Sequence, residues 1–198
     1  MNIKIIPVGP LEVNCYVVTI QDSSFIIDPG ADFDVILNYV KSNKLDVKAI
    51  LLTHAHIDHC SAVYDLEAEL NVPVILNKED VKLYFSPENS LAPYYPPLTQ
   101  HVNTVESFEN SYFSIIHTAG HSLGSICYYF KEDNILFSGD TLFCESIGRT
   151  DLPGGDYNSL ISNVKNKLFI LPGETLVYPG HGPSTKISHE MSYNPFVN

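Results

Sequence analysis

The stretch Thr53-His54-Ala55-His56-Ile57-Asp58-His59 places three imidazoles and a carboxylate within six consecutive positions. Imidazole nitrogen and carboxylate oxygen are the ligands that borderline and transition metals prefer, whereas a core would have to neutralise or pair each of them at a cost. Upstream, Val47 to Leu52 is a continuous apolar run that reads as a buried strand. Downstream, Val63, Leu66 and Leu70 recur at helical spacing within Ser61 to Leu70. The cluster is therefore expected on a loop between the C-terminal end of a strand and the start of a helix.

Three further segments combine a strand end, a small-residue turn and a ligand-type side chain: Ala119-Gly120-His121, Ser138-Gly139-Asp140 and Pro179-Gly180-His181. Glycine before the ligand lets the backbone turn sharply and aim the side chain at a shared centre. Each segment is weak alone, because Gly-Asp after a strand is commonly only a turn. Together with the histidine cluster they point to a metal site.

Around these turns the chain alternates extended and helical patterns. Asn2 to Ile6, Val13 to Ile20 and Phe25 to Asp28 read as an antiparallel meander, followed by a helix carrying Phe33, Ile36, Leu37 and Val40. Val72 to Leu76 reads as a short strand and Asp80 to Phe85 as a short helix, and the proline-rich Ser86 to Pro97 as a surface loop that includes Tyr94 and Tyr95. Tyr112 to His117, Ser125 to Phe130 and Ile135 to Ser138 form a second strand set. A long helix over Tyr157 to Phe169 and a strand over Thr175 to Tyr178 complete it. Helices outside a two-sheet sandwich are the favoured architecture. His101, His117 and His189 lack companion acids in pattern and read as surface or packed residues, and Cys60 as a small apolar filler.

With 198 residues, 44% hydrophobic and 17% charged, the chain fits one globular domain with one core. The formal net charge of -12 argues against nucleic acid or an anionic membrane surface as the main partner. Four singly placed cysteines suggest free thiols in a reducing compartment. Neither a signal segment nor a membrane span is expected, and the reading is a cytoplasmic protein.

The pattern His54-x-His56-x-Asp58-His59, followed by His121, Asp140 and His181 at separated strand ends, resembles that of the metallo-β-lactamase superfamily. The segments Gly139-Asp140-Thr141-Leu142-Phe143, Gly148 to Gly155 and Pro179-Gly180-His181-Gly182-Pro183 are similar to those of the short, single-domain glyoxalase II-like hydrolases. The resemblance implies a four-layer αβ/βα sandwich over residues 1–198. It implies two divalent metal ions, zinc first with iron or manganese as alternatives. His54, His56 and His121 would hold one ion, Asp58, His59 and His181 the other, with Asp140 as the bridge. Asp58 and Asp140 are then also the expected catalytic residues. Asp28, in Ile27-Asp28-Pro29-Gly30, matches the family's first motif and would hold a ligand imidazole in its tautomer.

What the resemblance implies chemically is hydrolysis of a thioester of the hydroxyacyl-glutathione type, by attack of a metal-bound hydroxide. Arg149 is the candidate handle for a substrate carboxylate, the alternative being a structural arginine paired with Asp151 or with a carbonyl. The alternative activity is that of the mononuclear-iron persulfide dioxygenases, which share Gly-Arg-Thr-Asp after the bridging aspartate. A lactonase and a non-catalytic binding module rank below it. The implied partner is a small-molecule thioester, with no nucleic acid and no membrane; oligomeric state is left open.

Overall fold

The computed structural model describes residues 1–91, 93–100, 102, 104–106 and 111–197, so His101 lies outside the described residues. The chain divides into two compact units, Met1–Phe108 and Glu109–Asn198.

In the first unit, β1 (Asn2–Val8), β2 (Val13–Ile20) and β3 (Ser23–Ile27) form the expected antiparallel meander. The order continues through β4 (Val47–Leu51), β5 (Val74–Ile75) and β6 (Thr104–Val105), each parallel to its predecessor. A parallel pair needs a crossover, and helix α1 (Phe33–Ser42) supplies it between β3 and β4. It buries Ile36, Leu37 and Val40 against the sheet's apolar cluster, which also holds Val17, Ile26, Ile50 and Leu66. Because β3 and β4 run the same way, Asp28 and the histidine cluster emerge at the same edge of the sheet.

The histidine cluster is not wholly a loop: Ile57–Cys60 forms a helical turn of its own (α2), and α3 (Val63–Leu70) follows it. The reason lies in the backbone bonding, since His59 N–H donates to the His56 carbonyl at 2.9 Å and Ala62 N–H to that of Pro29 at 3.0 Å. The expected helix over Asp80 to Phe85 is a 3₁₀ turn, Lys78–Asp80, running into a short helix α4 (Val81–Tyr84). In the proline-rich loop Tyr94 is 72% exposed, whereas Tyr95 is 3% exposed and closes a tight turn by exchanging two backbone bonds with Leu91.

In the second unit, β7 (Ser114–His117), β8 (Ile126–Phe130) and β9 (Ile135–Gly139) are antiparallel neighbours, and a two-stranded hairpin of β10 (Leu142–Phe143) and β11 (Ser146–Ile147) follows. Strand β12 (Leu176–Pro179) pairs parallel to β9 and antiparallel to β13 (Thr185–Lys186), giving the sheet order β13-β12-β9-β8-β7. Two antiparallel steps restore direction, so β7, β9 and β12 all end at one edge. The turns carrying His121, Asp140 and His181 follow those three ends. The long helix expected over Tyr157 to Phe169 is an α-helix over Tyr157–Asn163 (α5) that widens into a π-helical turn over Val164–Leu168. Strand β13 and helix α6 (Ile187–Tyr193) complete the unit, whose core includes Cys127, Leu136, Leu142, Val164 and Val177. No helix among the described residues is long and apolar enough to cross a membrane.

The loop between β4 and α2 is pinned by two buried residues that sequence pattern does not mark. Asn89 accepts from Ile57 N–H at 3.0 Å and donates to the Ala55 carbonyl at 2.7 Å, and Asp80 accepts from Ala55 N–H at 3.1 Å. Asn89→Ala should strand the Ile57 and Ala55 groups and destabilise the protein by about 1–3 kcal/mol per group left unpaired. Chemical denaturation would check this; an unchanged midpoint would mean that the loop does not depend on Asn89.

Candidate metal centre

Asp28 occupies the left-handed region (φ 49°), which aspartate tolerates better than most residues, and is 1% exposed. Its Oδ1 accepts from Thr53 N–H at 2.8 Å and its Oδ2 from the Thr53 hydroxyl at 2.7 Å. His59 Nδ1 lies 3.1 Å from the same Oδ2. A carboxylate accepts, so His59 carries its proton on Nδ1 and its lone pair on Nε2. The Thr53 hydroxyl has given its single proton to Asp28 and can only accept from His54 Nδ1, 3.0 Å away. His54 is therefore the same tautomer. Asp28, His54 and His59 offer ligand-type atoms that all lie within 4.8 Å of one another, and the His54 ring contacts those of His56 and His59 at centroid distances of 4.8 and 4.2 Å.

Asp58 follows in the α2 turn, its Oδ2 3.8 Å from His59 Nε2. The turn packs tightly on the Asp28-Pro29-Gly30 segment: a Cβ built on Gly30 would stand 1.6 Å from the Asp58 carbonyl oxygen. Only glycine permits this approach. Cys60 points its thiol at the carbonyls of Ala55 and His56, and burial pushes it well above the usual thiol range, as suits an inert core residue.

In the second unit, His121 Nδ1 is 2.8 Å from the Arg149 carbonyl oxygen, which can only accept, so Nε2 again holds the lone pair. His121 Nε2 and His181 Nε2 stand 3.6 and 3.7 Å from the same Asp140 Oδ2. Both separations exceed a hydrogen bond. Two imidazole nitrogens around one carboxylate oxygen at that spacing suit a shared cation. The Asp140 turn is set by Gly139 (φ 49°), and Gly180 N–H donates to the Gly139 carbonyl at 2.9 Å, tying the Asp140 and His181 turns together. Gly180 itself is outside the left-handed region, so the glycine argument holds for the Asp140 turn and not for the His181 one.

An open cleft of about 290 Å³ in this unit is lined by Phe143, Cys144, Ser146, His181, Gly182 and Pro183. Arg149 does not face an unpaired acceptor: its guanidinium grips Asp151 through two bonds of 2.7 and 2.8 Å on the exposed surface. The hydrogen bond from Arg149, and the charge behind it, hold the Asp151 carboxyl down to about 2, below its ordinary 3.8. His189 has the companion acid that its sequence neighbourhood does not show, Glu145, at 2.9 Å.

Residues 8–181 match the model of the metallo-β-lactamase superfamily. The chain is 34% identical to the hydroxyacylglutathione hydrolase GloC of Haemophilus influenzae, over all of this chain and 99% of that one. It superposes on the crystal structure of the BLEG-1 B3 metallo-β-lactamase with a TM-score of 0.91, at 39% identity over 99% of both chains. It also superposes on TTHA1623 in a di-iron-bound form with a TM-score of 0.88, at 39% identity over 98% of this chain and 99% of that one. The protein belongs to the metallo-β-lactamase superfamily, and its mixed α/β fold is that family's. Within it, the chain is a metal-binding metallohydrolase.

Three expectations follow. Asp28→Asn would put an N–H where the Asp28 oxygen accepts, drive the His59 proton onto Nε2, and lower metal affinity about 10–100-fold with the fold intact. Competition against a chromophoric chelator measures it, and wild-type affinity in the variant would refute the tautomer argument. For Asp151, the folded value lies below the unfolded one, so its contribution to stability is present above pH 3.8 and lost as pH falls through about 2. Its carboxyl titration, followed by NMR, should midpoint near 2 and move back toward 3.8 in Arg149→Ala.

Proposed function

We propose that the protein is a binuclear metallohydrolase of the cytoplasm that cleaves small-molecule thioesters of the hydroxyacyl-glutathione type, without nucleic acid or membrane as partner. In this reading His54, His56 and His121 serve one divalent ion, Asp58, His59 and His181 the other, and Asp140 both. Zinc is the first candidate, with iron or manganese as alternatives. The division of ligands is the one the family resemblance implies.

The observation that carries the reading is the common state of three imidazoles. His54, His59 and His121 each give the Nδ1 proton to a protein acceptor, a hydroxyl, a carboxylate and a carbonyl respectively, which presents Nε2 as a neutral donor. Hydrogen-bonded orientation of this kind is what metal-bound histidines require, and the donor set of imidazole and carboxylate suits zinc and iron. The ions, when bound, supply Lewis acidity, polarising a carbonyl and making water a nucleophile near neutral pH. The chain's own part is to hold those nitrogens deprotonated, to place the Asp140 carboxylate between two imidazoles, and to offer a cleft for the acyl group. That cleft is near the lower end of the roughly 300–1,000 Å³ range of ligand pockets, which favours a short acyl chain.

The thioester assignment draws support from the identity with GloC across both full chains, and the two-ion assignment from the di-iron form of the TTHA1623 relative. Arg149 remains the candidate for a substrate carboxylate. To act so it must exchange Asp151 for substrate, and an exposed ion pair of this kind is only weakly held.

Two variants test separate parts of the reading. Asp140→Ala should lose metal and turnover together, because it removes the carboxylate proposed to offset the repulsion of two cations. Arg149→Ala should keep the metal and raise KM more than it lowers kcat on a hydroxyacyl-glutathione thioester, since a remote handle contributes largely uniform binding. Normal turnover and metal content in Asp140→Ala would remove the bridge assignment. A single tightly held iron, with oxygen uptake on a persulfide and no thioester cleavage, would replace the hydrolase with the dioxygenase.

A further inference from the structure

One cluster of ligand-type side chains is left over by the reading above. Cys144 and Glu145 form the turn of the β10–β11 hairpin, and His189 and Glu190 lie in the first turn of α6. Cys144, His189 and Glu190 each offer one ligand atom, and all three atoms lie within 4.8 Å of one another.

Two features set this apart from a chance grouping. Glu190 is fully buried, and its carboxylate accepts from Glu145 N–H at 2.9 Å, from the Asn194 amide at 2.8 Å and from the Thr185 hydroxyl. Among the described residues no lysine or arginine forms an ion pair with it. Metal-ligating carboxylates are themselves hydrogen-bonded, and these three donors fix the Glu190 carboxylate beside Cys144 and His189. The second feature is the Glu145 carboxylate on His189 Nε2 at 2.9 Å, the arrangement by which metal-binding histidines are oriented through the other ring nitrogen. Cys144 is half-buried, whereas Cys15, Cys60 and Cys127 are buried, so it is the thiol a solvent cation can reach.

We propose that Cys144, His189 and Glu190 form a peripheral site for one borderline divalent cation of the zinc or cobalt type. Thiolate sulfur, imidazole nitrogen and carboxylate oxygen are together a donor set of such ions and a poor one for magnesium or calcium. Binding exchanges the Cys144 thiol proton for the metal–sulfur bond and releases that proton to solvent, so affinity rises with pH. The fourth position is left to water. A cation there joins α6 to the hairpin whose Phe143, Cys144 and Ser146 line the cleft beside His181.

No cysteine stands among the residues proposed for the hydrolytic centre, so sulfur ligation reports on this site alone. Co²⁺ added to the holoprotein after dialysis against metal-free buffer should bring up a near-ultraviolet thiolate-to-cobalt charge-transfer band that saturates at one ion per chain. Cys144→Ser should abolish the band, and His189→Ala should raise the half-saturating Co²⁺ concentration at least about 10-fold. As a second measure, Zn²⁺ should slow alkylation of Cys144, read by peptide mapping, at least about 10-fold, and a chelator should restore the rate. Cobalt uptake without a sulfur band, a band that survives Cys144→Ser, or alkylation indifferent to Zn²⁺ would overturn the site. None of these readouts depends on thioester cleavage.

Discussion

The contact on which the first unit's functional edge depends is the hydrogen bond from His59 to the buried carboxylate of Asp28. A buried charge has to be met by donors, and Asp28 meets three: a backbone N–H, a hydroxyl and an imidazole. Those donors come from the end of β4 and from α2, while Asp28 itself ends β3. One carboxylate thus fixes two parallel strand ends and a helical turn, and in doing so decides which nitrogen of two histidines holds a proton. The left-handed backbone of Asp28 and the bare Cα of Gly30 against the Asp58 carbonyl are the local conditions for that contact.

The second unit reaches the same result with different parts. Its histidine is oriented by a backbone carbonyl, that of Arg149, and its two later turns are tied by a backbone bond from Gly180 to Gly139. Strand direction does the rest, because β7, β9 and β12 run the same way and deliver His121, Asp140 and His181 at one sheet edge. Backbone acceptors make this half insensitive to side-chain identity at the supporting positions. The Arg149 side chain consequently has no part in holding His121, and is left to pair with Asp151 on the surface.

Much of this was legible in the sequence because it is written in short-range patterns. The meander, the apolar run before the histidines and the three glycine-marked turns each lie within a few residues, and the Arg149–Asp151 pair, two positions apart, was among the readings the sequence offered. What pattern does not carry is long-range partnership. Asn89 and Asp80 secure the Ala55 to Ile57 backbone from 25 to 34 positions away, and Glu145 reaches His189 across 44. Short elements escape for a related reason: the two-residue strands β10, β11 and β13 are too brief to show an alternation, and α6 is placed by its buried Ile187 and Glu190 rather than by a repeating apolar face.

Electrostatics separates the surface of this protein from its chemistry. A net charge of -12 governs solubility and long-range encounter, but exposed charges are screened over about 8 Å at physiological ionic strength. The acids that matter are the few that are withdrawn from solvent. Asp28 is neutralised locally by donors it has organised, and Asp140 stands between two imidazoles at distances that hydrogen bonds do not fill. The local field at those residues is therefore set by the groups and cations beside them, rather than by the sum over the sequence. Glu190 is held in the same way: its buried carboxylate is met by three neutral donors, as that of Asp28 is, and it stands beside a thiol and an imidazole.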